Sequence, residues 1–123
     1  MDLVAAPLRV TSLAKVSTAR HKVRRITLPL VGADAADRVE LLVSEGLTNA
    51  LLHGHGTATV AVSCQGQGVR VEVRDDGPAL KVVGRVDHGR GLTLVGALAS
   101  RWGLDRADTG TCFWFEVDRE VGQ

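Results

Sequence analysis

Apolar residues recur at helical spacing through Val39, Val43, Leu47, Ala50 and Leu51, which gives a helix with one core-facing side. Asp34 is a suitable N-cap, Asp37 falls in the first turn where the helix dipole favours negative charge, and Gly54 supplies a stop. The pattern therefore predicts a helix from Ala35 to His53. Beyond it the period changes from 3.6 to two. Thr57 to Ser63 alternates and is rich in small and β-branched residues, and Val69, Val71 and Val73 alternate with Arg70, Glu72 and Arg74. These read as two strands joined by a hairpin turn at Gln65-Gly66-Gln67-Gly68. Asp75-Asp76-Gly77-Pro78 is a turn by composition.

The flanking regions carry weaker patterns. A short strand is expected around Leu8–Leu13, and a first helix from Ser17 to Ile26 whose bases Arg20, Lys22, Arg24 and Arg25 form a solvated face. Leu28-Pro29-Leu30-Val31-Gly32 reads as a connection. Ala79 to His88 has no period and reads as a loop. A third helix is expected from Leu92 to Arg101, with Leu94, Val95, Leu98 and Ala99 as its core face and Trp102-Gly103 closing it. Leu104 to Ala107 and Thr111 to Val117 read as strands around an Asp108-Thr109-Gly110 turn. Helices mixed with tight hairpins predict an α+β fold, a two-layer sandwich with helices on one face of a mixed, mainly antiparallel sheet. Phe113-Trp114-Phe115 then belongs to strand packing.

Composition narrows the function classes. The 123 residues suit one domain, 1–123, with a modest core. A formal charge of +1 gives no basis for bulk attraction to nucleic acid or to a membrane surface. No run of 18 apolar residues is present and Met1-Asp2-Leu3-Val4 does not resemble a signal peptide, so a cytoplasmic protein is expected. Cys64 and Cys112 sit in expected strands without CxxC spacing and are expected to be buried and reduced.

Three segments carry candidate chemistry. Glu45, Asn49 and His53 are spaced by four and share one side of the long helix, with Leu41, Leu42 and Leu52 nearby. Polar groups buried among leucines are costly unless satisfied, so a ligand and its metal are expected to satisfy them. A carboxylate can take a proton from a hydroxyl, and an amide oxygen is a suitable hard donor for Mg²⁺. Asp75-Asp76-Gly77-Pro78 reads either as a plain turn or as a carboxylate placed to accept from an exocyclic amine. Gly89-Arg90-Gly91-Leu92 reads either as a loop-to-helix joint or as an anion site at a helix N-terminus. His53-Gly54-His55 has no further Cys or His nearby and makes a poor transition-metal site.

Taken in order, these segments resemble the GHKL (Bergerat-fold) ATP-binding family over residues 34–117. Ser44-Glu45-Gly46-Leu47-Thr48-Asn49-Ala50-Leu51-Leu52-His53-Gly54 resembles its N box, Asp75-Asp76-Gly77 its first glycine box and Gly89-Arg90-Gly91-Leu92 its second. Gly110-Thr111, followed by Cys112 to Val117, resembles its closing strand. The small size is most similar to the anti-sigma-factor serine kinases. The resemblance implies ATP and Mg²⁺ as cofactors, Glu45 as general base, Asn49 as Mg²⁺ ligand and Asp75 as acceptor for the adenine amine. It further implies that Gly77 shapes the adenine pocket with Thr111 nearby, and that Gly89 and Gly91 hold the phosphates. Arg90 and Leu92 belong to the same box, His53 lines the pocket, and residues 79–88 form a lid. The implied partners are an anti-sigma-factor antagonist, as phosphate acceptor, and a sigma factor, with no direct contact to nucleic acid; the resemblance also allows a homodimer. One departure stands out: the family pattern DxGxG ends here in Ala79, which motivates the alternative of a nucleotide-binding module without turnover.

Overall fold

The valine stripes decide the architecture. In the computed structural model, which describes residues 3–53, 56–75, 95–107 and 110–121, five strands form one antiparallel sheet in the order β1-β2-β3-β5-β4. They are β1 (Leu8–Val10), β2 (Ala58–Gln65), β3 (Gly68–Asp75), β4 (Arg101–Ala107) and β5 (Gly110–Asp118). Alternation puts Val69, Val71 and Val73 of β3 on one face, opposite Val117, Phe115 and Phe113 of β5. Val60 and Val62 of β2 continue the same face. Two helices cover it, α1 (Val16–Val31) and α2 (Ala33–His53). Their buried residues Val23, Val31, Val39, Leu42, Val43 and Leu47 complete one core with the sheet valines and Phe115. This is the expected two-layer α+β sandwich, with the described strands antiparallel throughout.

The β2–β3 hairpin closes as expected. Gln65 pairs with Gly68, and Gly66 takes φ +55°, a left-handed conformation at the first turn position that favours glycine. The helix over residues 35–53 is also borne out, beginning two residues earlier at Ala33.

Several expectations give way to tertiary contacts. The strand expected over 8–13 stops at Val10, and Leu13–Lys15 form a 3₁₀ turn. The first helix does not end at Ile26. It runs through Pro29 to Val31, because the proline falls in the last turn, where only one backbone bond is forfeited. Burial of Thr27 and Val31 and a Gly32 N–H bond to the Leu28 carbonyl (3.0 Å) hold that turn together.

Asp34 is not the cap of α2. It lies inside the first turn and pairs with Arg38 (3.2 Å). The cap comes from 86 residues downstream, where the Glu120 carboxylate accepts the N–H groups of Asp34 (2.6 Å) and Ala35 (3.0 Å). Glu120 also donates its own N–H to the Val31 carbonyl (2.9 Å), so the segment after β5 clasps the α1–α2 junction. The bases of α1 are not all solvated either. Arg24 bonds Asp37 (2.8 Å) and, with Arg20 and His21, surrounds Glu40 of α2.

The third helix ends early. Residues 95–98 are helical, with Val95 buried, but Arg101, Trp102 and Gly103 belong to β4. They pair with Glu116, Phe115 and Trp114 of β5, and these cross-strand partners outweigh the helical pattern read from residues 92–101. Cys112 is buried as expected, but Cys64, near the hairpin, is exposed.

Candidate functional site

β3 and β5 end together. Asp75 is the last residue of β3, and Thr111 stands opposite it in register. By parity Asp75 lies on the helix-covered face, as the continuation of Val69, Val71 and Val73. Its partner across β2 is Ala58, which is small and fully buried. A carboxylate thus follows three valines, flanked by a methyl group and a hydroxyl-bearing side chain. The carboxylate is an acceptor on the same face as these small neighbours.

α2 is brought over this end of the sheet by Gly46. A Cβ at that position would stand 2.8 Å from the Phe113 ring and 3.3 Å from a Val73 methyl group. Phe113 and Val73 are the positions next to Thr111 and Asp75 on the same face. Glycine inside a helix costs about 1 kcal/mol relative to alanine, and close packing of helix on sheet explains its place here. Gly46 and Ala58 are the two contributors missed from the sequence reading. The helical glycine was the available signal, since such a residue usually has a packing reason. Ala58 offered none before the register was known.

Glu45 precedes Gly46 and is half-buried, while Asn49 and His53, one and two turns on, are exposed. Leu41 and Leu52, which flank the stripe, are 48% and 56% exposed. The expectation of three polar groups buried among leucines is therefore corrected: only Glu45 is partly covered, and the stripe opens to solvent toward His53. Among the described residues Glu45, Asn49 and His53 make no hydrogen bond or ion pair. The structure thus sets Asp75 and Thr111 in register, keeps Glu45 and Asn49 one turn apart, and packs Gly46, which lies between them in sequence, against Phe113 and Val73. Gly77, Gly89, Arg90, Gly91 and Leu92 lie outside the described residues, as does the lid segment 79–88.

The opposite face of the sheet behaves differently. Glu116 accepts from Arg101 (2.6 Å) and Arg70 (3.3 Å), Arg70 and Arg74 share Glu72, and Arg101 also reaches Asp118. Arg70 lies 4.2 Å above the Trp114 ring. Burial opposes the charge on Arg70, but its bonds to Glu72 and Glu116 outweigh that and raise its pKa. Hydrogen bonds to Glu116 and Asp118 likewise raise that of Arg101. These acids are consumed in holding the sheet. Among the described residues no three His, Cys, Asp or Glu side chains converge as a metal centre.

Comparison with known proteins follows the same outline. A family model described as a histidine kinase-like ATPase domain matches residues 10–117. Among solved structures, the RsbU and RsbW domains of a Mycobacterium tuberculosis protein superpose with a TM-score of 0.68 at 24% identity, covering 96% of this chain and 35% of that one. The histidine kinase domain of a blue-light activated histidine kinase from Erythrobacter litoralis gives 0.58 at 24% identity, covering 92% and 68%. A second structure of that kinase gives 0.58 at 25% identity, covering 86% and 40%. The present chain is thus about a third of the length of the Mycobacterium structure it resembles. No curated protein matches the chain significantly.

Proposed function

The chain belongs to the histidine-kinase-like ATPase domain family, and from that premise we propose that it binds ATP with Mg²⁺ and passes the γ-phosphate to a serine or threonine of a protein. The observation that supports this best is the register of Asp75 and Thr111 on the helix-covered face, next to Val73 and Phe113, on which α2 packs through Gly46. The Asp75 carboxylate would accept from the exocyclic amine of adenine, and the Thr111 hydroxyl would bond a neighbouring ring nitrogen. Ala58 is small enough to let the base approach. His53 would line the pocket wall.

The donor set fits a magnesium nucleotide. Asn49 presents one hard oxygen from an exposed position, and phosphate and water oxygens ordinarily supply most of the Mg²⁺ shell. When bound, the magnesium nucleotide supplies the electrophilic phosphorus with its charge partly neutralised. Glu45 would hold the acceptor hydroxyl and take its proton. Gly77 would border the base, and Gly89, Arg90, Gly91 and Leu92 would offer N–H groups and one guanidinium to the phosphates. The fold likeness to an RsbW domain favours an anti-sigma-factor antagonist as phosphate acceptor and a sigma factor as second partner, in the cytoplasm. No helix among the described residues is long and apolar enough to cross a membrane.

Thermal unfolding with and without ATP and Mg²⁺, combined with transfer of label from γ-labelled ATP to an antagonist protein, tests the reading. ATP at 100 times its Kd should add about 2.7 kcal/mol of stability. Asp75→Asn should abolish that gain, and Glu45→Ala should keep it while losing transfer. Transfer by Glu45→Ala at the wild-type rate excludes Glu45 as base. Stabilisation of the wild type without any transfer supports the second reading, a nucleotide-controlled interaction module, which Ala79 in place of the family glycine favours.

A further inference from the structure

The near-zero total charge of the chain hides an uneven distribution. Residues 3–33 hold Arg9, Lys15, Arg20, Lys22, Arg24 and Arg25 and no Asp or Glu, while residues 34–123 hold nine bases against thirteen acids. Such an asymmetry between segments points to an interaction surface. The fold pairs only part of the basic set. Arg20, His21 and Arg24 turn toward α2, where Glu40 and Asp37 take them up. Lys15, Lys22 and Arg25 are exposed, and among the described residues they make no ion pair or hydrogen bond. Lys22 lies about 160° around α1 from Arg24 at 3.6 residues per turn, on the flank of the helix turned away from α2.

The spacing along this flank is regular. Lys15, Thr18, Lys22, Arg25 and Pro29 follow one another by three, four, three and four residues, and all five are exposed. That is the heptad repeat by which one helix lies along another, with cations at three of its five positions in place of apolar side chains. The row runs about 21 Å along α1 at 1.5 Å per residue. Lys15 is the N-cap residue in a right-handed conformation (φ −95°, ψ −1°), so the row begins in register with the helix. Leu28, one turn on from Arg25 and 36% exposed, adds an apolar contact at the far end. The row is narrow, and Asp34 and Asp37 keep exposed carboxylates on the neighbouring helix. A phosphate backbone or an anionic lipid surface rewards a broader cationic field, whereas a single acidic helix matches one row. We propose that this flank of α1 docks an acidic helix of a partner protein, with carboxylates at heptad spacing set against Lys15, Lys22 and Arg25. The docking does not depend on nucleotide.

Fluorescence anisotropy at about 0.15 M salt tests this. The ligand is a labelled, alanine-based helical peptide with Glu at each a and d position; the control has the same composition with its Glu residues scattered around the helix. The wild type should bind the heptad peptide about tenfold more tightly than the scattered one. Lys22→Glu combined with Arg25→Glu should weaken that binding about tenfold or more by setting like charges together. The neutral pair, Lys22→Gln with Arg25→Gln, should weaken it less. Arg119→Glu, the same change at an exposed base outside the row, should leave it unchanged. The doubly reversed variant should instead take a peptide with Lys at the same positions. A wild type that fails to bind the heptad peptide, or binds both peptides alike, overturns the proposal, as does an unchanged constant in both double variants. So does tighter binding to a short DNA duplex or to phosphatidylserine vesicles than to the peptide, lost in the same variants.

Discussion

α2 is one continuous helix with two different halves. In the first, each charged side chain has a partner: Asp34 with Arg38, Asp37 with Arg24, and Glu40 with Arg20, His21 and Arg24. The N-terminal amides are capped by Glu120. In the second, the polar side chains Glu45, Asn49 and His53 stand without partners among the described residues. Apolar burial also thins along the helix: Ala35, Ala36, Val39, Leu42 and Val43 are buried in the first half, but only Gly46 and Leu47 in the second. The first half is anchored by polar contacts to α1 and the C-terminal segment. Among the described residues the second is held by apolar packing, through Leu47 and Gly46, and its polar stripe has no protein partner.

The largest expected effect is at the two leucines that anchor the halves in the core. Leu42→Ala and Leu47→Ala should each cost about 2–5 kcal/mol in urea unfolding, by lost transfer energy plus a cavity. A cost below about 1 kcal/mol at Leu47 would show that the second half is not held by the core at all. Next is the cap. Glu120→Ala should cost about 1 kcal/mol and leave ATP affinity unchanged, because it acts at the anchored end. A clear loss of ATP affinity in that variant would erase the distinction between the halves. The smallest effect is the coupling of Arg24 with Glu40 across the helix pair. A double-mutant cycle with alanine should return about 0.2–1 kcal/mol, since partly exposed ion pairs are screened by water and salt. The same cycle on Glu45 and Arg24 should return nothing measurable.

The sequence alone carried much of this. The valine alternation of β3, the glycine turn after β2 and the 3.6-residue period of α2 are local patterns with one physical meaning each, and all three elements formed where expected. The place of Asp75 at the end of β3 and of Glu45 and Asn49 on α2 was legible too, because each depends on neighbours within a few residues. The misplaced boundaries share a cause. Pro29, Asp34 and Trp102-Gly103 are ordinary stop or cap signals, and each was overruled by residues far along the chain: Glu120 at the α1–α2 junction, and Glu116 to Trp114 beside β4.

The burial of the Glu45 stripe was misjudged for a related reason. Leucines beside a polar group suggest a core, but whether a helix face is covered depends on what packs against it. Periodicity therefore determined which elements this chain makes and which of their faces are apolar. Only the tertiary structure decided which amides Glu120 caps, that Gly46 seats α2 over Val73 and Phe113, and that Asp75 stands between Ala58 and Thr111, since each is a contact between segments that no local pattern encodes.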